Sequence, residues 1–394
     1  MKALQGLKVL ELGQLIAGPF AGKFFAEFGA DVIKIEPPGG DPLRKWRKVH
    51  RGTSLWWYVQ NRNKKSVTVD LRRPEGQEVL RRIAADADVV IENFRPGTLE
   101  KWGLGYDRLS SANPGLVMLR LSGFGQTGPY RDQPGFGAIG ESMGGLRYVT
   151  GYPDRPPVRP NLSIGDALAA LHGVIGTLIA LRHRDASGGK GQVVDVALYE
   201  AVFNMMEGSL PEYGMFGELR ERTGSNLTGI VPSNTYPAGD GQHIVIGANA
   251  DSIFKRLMET IGRPDLANDA GLADNAGRSA RAGELDAVIG VWTRRYSSDE
   301  IVALLNAAQV PNGKIYSMAD IASDPQYLAR EMIRDVKLPD GTALKVPGVI
   351  PRLSETPGDL EWVGPALGEH TAAVLAAHAY SDAEIASLKE RRIV

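Results

Sequence analysis

The sequence predicts an α/β protein with a doubly wound large domain and a smaller α+β domain. Three observations carry this. Apolar runs of strand length alternate with helical spacing through the first half of the chain. After about residue 225 the pattern shifts to hairpin and amphipathic-helix signals. The length of 394 residues, with 43% hydrophobic and 23% charged residues, suits more than one domain and supplies an ample core.

In chain order, "LKVLEL" (7–12) reads as a buried strand and "GQLIAGP" as a loop. Pro19 stands at the start of the next helix and Gly29 at its end, the expected asymmetry. "DVIKIE" (31–36) is a second strand, which completes a βαβ unit and implies a parallel sheet with a right-handed crossover. Helical spacing recurs at 73–87, and strands at 88–94 and 116–125. A Gly- and Pro-rich passage follows, up to residue 165; structureless stretches of that length inside compact domains are usually functional. Residues 166–184 read as a helix, 192–198 as a strand and 199–208 as a helix. Beyond them, "TYPAGDGQHIVIGA" reads as a hairpin turning at Asp240-Gly241. "DSIFKRLMETIG" and "SDEIVALLNAAQV" are amphipathic helices, and the smaller domain spans 225–325. "VKLPDGTALKV" is a second hairpin, with Asp340-Gly341 at its turn, and two helical stretches end the chain.

Composition removes several functions. A net charge of -1 provides no global field for nucleic acid or an anionic membrane. With no cysteine there is no thiol nucleophile, disulfide, iron–sulfur cluster or cysteine zinc site, which fits a cytoplasmic protein. The N-terminal apolar run is too short for a signal peptide, and no stretch is expected to approach a membrane span. The six histidines are scattered and none pairs with a glutamate at metalloprotease spacing, so no metal is expected. G-x-S-x-G and the phosphate-binding G-x-x-x-x-G-K-[ST] are both absent.

Four places could carry chemistry. The first βα turn opens a helix, and Glu36 ends the next strand where a dinucleotide enzyme holds a ribose; but G-x-G-x-x-G is missing. The helix start could still bind a phosphate, or bind nothing. "ENFRPGTLEKWG" (92–103) follows a strand and offers Asn93, Arg95 and Lys101 to an anion or a base, though the stretch alone favours a solvated loop with a Pro-Gly turn. Arg72, Arg73, Arg147, Arg155 and Arg159 lie in or near loops and could grip carboxylates or phosphates. Asp166 opens the helix "GDALAALHG". Ser163 stands three residues before it, close to a capping box, and local physics favours that role. Against it, Ala169, Ala170, Gly173, Gly176 and Ala180 make a slim helix face that admits close approach, and Gly165 leaves the carboxylate unshielded. A carboxylate held at a helix start stays ionised, as an attacking carboxylate must.

Longer stretches carry a resemblance. They include "LKVLELGQLIAGPFAGKFFAEFGADVIKIEPPGGDPLRKW", "NRNKKSVTVDLRRPEG", "DVVIENFRPGTLEKWGLGYDRL", "LSGFGQTGPYRD", "SIGDALAALHGVIGTLIALRHRDASGGKGQVVDVALYEAV" and "LGEHTAAVL". In order and nearly end to end, the chain resembles the class III coenzyme A transferases (CaiB/BaiF), the family of formyl-CoA:oxalate and carnitine CoA transferases. The resemblance implies a Rossmann-like large domain of 1–224 to which 326–394 returns, a small domain of 225–325, and an interlocked homodimer of two ring-like chains. It implies acyl-CoA and a carboxylic acid as substrates, with no permanently bound cofactor.

By this resemblance Asp166 is the nucleophile. Gln14, Leu15, Ile16 and Ala17 on the first loop, with Asn93, Phe94 and Lys101, are the implied CoA contacts. Pro37 replaces an arginine common in the family, and Arg44 is the candidate substitute. The related α-methylacyl-CoA racemases need a His-Asp pair where this chain has Phe136 and Gly137, so racemisation is the weaker alternative. A CoA-binding paralogue without activity is a third. The arginine-rich loop before Asp166 suggests dicarboxylates. Succinyl-CoA is the favoured donor and itaconate, mesaconate or citramalate the favoured acceptor, with Arg72, Arg73, Arg147 and Arg159 as candidate carboxylate partners.

Overall fold

The computed structural model describes residues 1–394. The chain divides into two compact units: Met1–Leu146, Pro160–Leu210 and Ala329–Val394 form one, Arg147–Arg159 and Pro211–Leu328 the other. The second unit thus begins before residue 225 and takes in part of the Gly- and Pro-rich passage.

The first unit is built on a parallel sheet of six strands: β1 (Lys8–Glu11), β2 (Asp31–Glu36), β3 (Lys64–Thr68), β4 (Val89–Glu92), β5 (Val117–Ser122) and β6 (Val193–Ala197), in the order β3-β2-β1-β4-β5-β6. The order reverses direction between β1 and β4, which pair from Val9 to Val89 onward. Strands buried on both faces need apolar runs, and Val89, Val90 and Ile91 in β4 are fully buried. Each such side chain contributes roughly 1.5–3 kcal/mol. Helices α1 (Ala17–Glu27) and α4 (Ile164–Ala186) cover one face, with Phe25, Ala169 and Ala170 against Val9, Ile91 and Leu119. Helix α2 (Pro74–Ala84) and the C-terminal helices Thr371–Ala377 and Asp382–Glu390 cover the other, around Leu10, Leu80, Leu375 and Leu388. Helix α3 (Gly137–Met143) precedes α4.

Strand β3 is absent from the sequence reading. Its segment, Lys-Lys-Ser-Val-Thr, lacks the apolar character of a central strand. It forms because Lys64 and Ser66 are buried against partners rather than solvated. Helix α4, at 23 residues, is long and apolar enough to cross a membrane, contrary to the expectation that no stretch approaches that length. Its slim face lies against the sheet: a Cβ on Gly173 would come within 3.0 Å of Leu119, and one on Gly176 within 2.8 Å of Val194. The small residues are therefore explained by packing on β5 and β6, not by a route for ligand.

The second unit has a three-stranded antiparallel sheet, Asn312–Lys314, His243–Gly247 and Ser233–Pro237, with the expected hairpin joining the last two. Helices Asp251–Thr260, Ala282–Thr293 and Ser298–Ala307 close its core around Ile244, Ile246, Leu257, Ile289 and Leu305.

Candidate active site

The loops after β1 and β4 open at the carboxyl edge of the sheet, at the point where strand order reverses. That crevice is where open α/β sheets bind ligands. The first loop, Gly13–Ile16, is tightly constrained. Leu15 takes a left-handed conformation, with φ of 62°. Its amide donates to both oxygens of Asp41, at 3.1 and 3.2 Å. Asp41 also accepts the Leu43 amide at 2.9 Å and pairs with buried Lys34 at 2.9 Å. Lys34 in turn donates to the Gly13 carbonyl and pairs with Glu11 at 3.1 Å; Glu11 reaches Lys64 at 2.6 Å. This ion network runs across β1, β2 and β3.

The network sets its own protonation. Burial opposes the charge on Lys34, but Asp41, Glu11 and Glu36 outweigh it and raise its pKa. Burial also acts to raise Asp41, yet Lys34 and the Leu43 amide hold it below the usual range. Lys64 is pulled down to about 8 by burial, against the pull of Glu11. A lysine inside "DVIKIE" and an aspartate before Pro42 are the only sequence signals of this cluster.

Asn93 closes the loop from the other side. Its Oδ1 accepts the Gln14 amide at 2.7 Å and its Nδ2 donates to the Gln14 carbonyl at 2.9 Å. Its side chain thus pairs like a strand partner with the loop it was expected to join in binding. Phe94 packs edge-on to Trp102 at 5.4 Å, and its amide donates to Glu92 at 2.7 Å. Burial pushes Glu92 up to about 7, against the pull of Arg120. Ile16 and Ala17 are buried at the start of α1, and the Ile16 carbonyl accepts from Gln60 at 3.1 Å. Lys101 is exposed at the end of a short helix, Thr98–Lys101.

Two readings change. Arg44 is buried, pairs in bidentate fashion with Glu36 at 2.7 and 2.8 Å, and stacks on Trp57 at 3.6 Å. Its charge is neutralised inside the protein and not offered to a phosphate. Glu36 is closed for the same reason, and also accepts from Ser66 at 2.6 Å and from the Asp41 amide at 3.0 Å. Of the arginines, Arg72 is exposed and holds Asp70 at 2.8 and 2.9 Å, while Arg73 stands at the N-cap position of α2 and makes no side-chain cap bond. Arg147 lies in a short helix, Leu146–Val149, and Arg159 in the passage after it; both belong to the second unit.

Asp166 sits half-buried in the first turn of α4. Because helices in this fold run against the strands, α1 and α4 start at the same edge and on the same face of the sheet. Ser163 is the N-cap but makes no side-chain cap bond, so the capping box does not form. Gly165, expected to leave the carboxylate unshielded, is itself buried against Gly137 and Glu141 of α3. Glu141, fully buried, escaped the sequence reading because one acid in a glycine-rich passage has no pattern. No group of three or more potential metal ligands is assembled.

A profile of CoA-transferase family III matches residues 4–371. The chain belongs to CoA-transferase family III. As a family III enzyme it transfers coenzyme A. It is 50% identical to the succinyl-CoA–D-citramalate CoA-transferase of Chloroflexus aurantiacus, over 100% of this chain and 98% of that one. It is 36% identical to the succinyl-CoA:mesaconate CoA-transferase of Haloarcula hispanica, over 95% and 96%. The solved structure of a CAIB/BAIF family protein from Brucella suis superposes with a TM-score of 0.83 at 36% identity, covering 96% of this chain and 99% of that one.

Proposed function

We propose that the protein moves CoA from succinyl-CoA to a C5 dicarboxylate, with citramalate first, then mesaconate and itaconate, as acceptor. The observation that carries this is the full-length identity of 50% to a succinyl-CoA–D-citramalate transferase. Asp166 is the nucleophile. Its carboxylate attacks the thioester carbonyl, the C–S bond breaks, and CoA thiolate leaves an acyl-aspartyl anhydride. The thiolate then attacks the aspartyl carbonyl, which frees succinate and leaves an aspartyl-CoA thioester. The acceptor carboxylate attacks in turn and releases thiolate, and attack of that thiolate on the acceptor carbonyl of the new anhydride restores Asp166. Gln14, Leu15, Ile16 and Ala17, presented by the clamped loop, contact CoA with Phe94 and Lys101; Arg147 and Arg159 are the candidates for the free carboxylate.

The racemase reading is disfavoured because Phe136 and Gly137 offer no proton-transferring group. We place the enzyme in the cytoplasm as a homodimer. The dimer is supported by α4, which leaves Leu171, Ile175, Leu178 and Ile179 exposed, at 38%, 57%, 39% and 64%, on a helix otherwise packed against the sheet. The test is a panel of acids offered with succinyl-CoA, read by mass spectrometry of the CoA products. Citramalyl-CoA formation is expected. Exchange with none of the C5 acids, or deuterium wash-in at Cα without an acceptor, overturns the assignment.

A further inference from the structure

The start of α4 rests on α3 more closely than side chains would allow. A Cβ built on Gly137 would overlap Asp166 Oδ2 and lie 2.8 Å from its Cγ. The Asp166 carboxylate therefore occupies the volume that any side chain at 137 would fill. The backbone does not demand glycine there, since Gly137 is not among the left-handed glycines. It starts a helix, where alanine is ordinarily the better residue. What demands glycine is the carboxylate.

A second contact comes from the same face of α3. Residues four apart on a helix lie one above the other, so Glu141 stands over Gly137. The buried Glu141 faces Gly165, whose amide donates to Oε1 at 3.4 Å. A Cβ on Gly165 would sit 2.7 Å from the Gly137 carbonyl and 3.3 Å from Glu141 Cγ. Glycines at 137 and 165 let the two helix starts touch. The buried acid fixes the peptide just before Asp166, and the gap at 137 receives the carboxylate itself.

We infer that Gly137 and Glu141 are positioning residues for the nucleophile, a role that rests on the reading of Asp166 as the attacking group. A carboxylate is the mobile end of its side chain, so a methyl at 137 moves Asp166 rather than the fold. That makes Gly137→Ala a selective probe.

The experiment compares wild type with Gly137→Ala, Glu141→Leu and Glu141→Gln. Each is mixed with succinyl-CoA and quenched into hydroxylamine, and the hydroxamate on the Asp166 peptide is followed by mass, beside steady-state kinetics. In Gly137→Ala the melting temperature is maintained and KM for succinyl-CoA stays within about twofold. Its kcat and rate of adduct formation fall about tenfold or more, as misplacement of a reacting group requires. Glu141→Leu falls comparably in kcat, while Glu141→Gln, which keeps an acceptor for the Gly165 amide, recovers most of the rate. Gly137→Ala with wild-type kcat and adduct rate overturns the inference, even if Glu141→Leu fails to fold. If wild type forms no adduct on that peptide, the nucleophile reading fails first and this inference falls with it.

Discussion

Two helices of this protein start with the same spacing, Ser-x-x-Asp, and use it in opposite ways. At Ser317–Asp320 the capping box forms. Asp320 accepts from the Ser317 amide at 2.7 Å and its hydroxyl at 2.6 Å, and the Asp320 amide donates to that hydroxyl at 3.3 Å. At Ser163–Asp166 the serine makes no cap bond, and the aspartate lies against Gly137 of a neighbouring helix. Asp41 stands between them: it caps its own short helix through Leu43 and also reaches across to Leu15 and Lys34. A capping motif thus states what a carboxylate can do locally; the neighbouring backbone decides whether it does so.

The sharpest way to break the comparison is to remove both carboxylates in turn. Asp166→Ala is expected to lower kcat by about a thousandfold or more while the protein stays folded, because no other group replaces a lost nucleophile. Asp320→Ala is expected to keep kcat within about twofold and lower only the melting temperature. Near wild-type exchange by Asp166→Ala would make the two aspartates equivalent and return Asp166 to a capping role.

The sequence pattern revealed some of this and not the rest, for physical reasons. The βαβ core was legible because Val9, Val32 and Val89 sit in apolar runs that only a buried sheet satisfies. Strand β3 was not, because Lys64 and Ser66 owe their burial to Glu11 and Glu36, which lie far away in sequence. Periodicity exposed the slim face of α4 but could not say that Leu119 and Val194 fill it. Asp166 could be singled out only through resemblance, since its local pattern is that of Asp320. Glu141 and the clamp from Asn93 to Gln14 are contacts across 24 and 79 residues, which no local window contains.

Asp41 should give an intermediate result. Asp41→Ala removes the partner of buried Lys34 and the acceptor of the strained Leu15 amide. Losing one member of a buried pair costs about 3–5 kcal/mol. Denaturant unfolding should show that loss, and the relaxed loop should raise KM for succinyl-CoA more than it lowers kcat. An unchanged midpoint would mean that Lys34 is adequately held by Glu11, and that the first loop keeps its shape without Asp41.

The smallest effect is a pH dependence, and it tests the local end of the comparison. The Ser317 hydroxyl and amide hold the Asp320 carboxyl below its ordinary 3.8. A carboxyl whose pKa is depressed by folding contributes fully above its unfolded value, and loses that contribution as pH falls through the folded one. The difference in melting temperature between wild type and Asp320→Asn should therefore be flat from pH 7 down to about 4.5 and shrink only below the unfolded value. A difference that changes between pH 5 and 7 would place the titration too high for a carboxylate held by its cap. Asp320 would then owe its environment to neighbours, as Asp166 does, and the contrast between the two helix starts would dissolve.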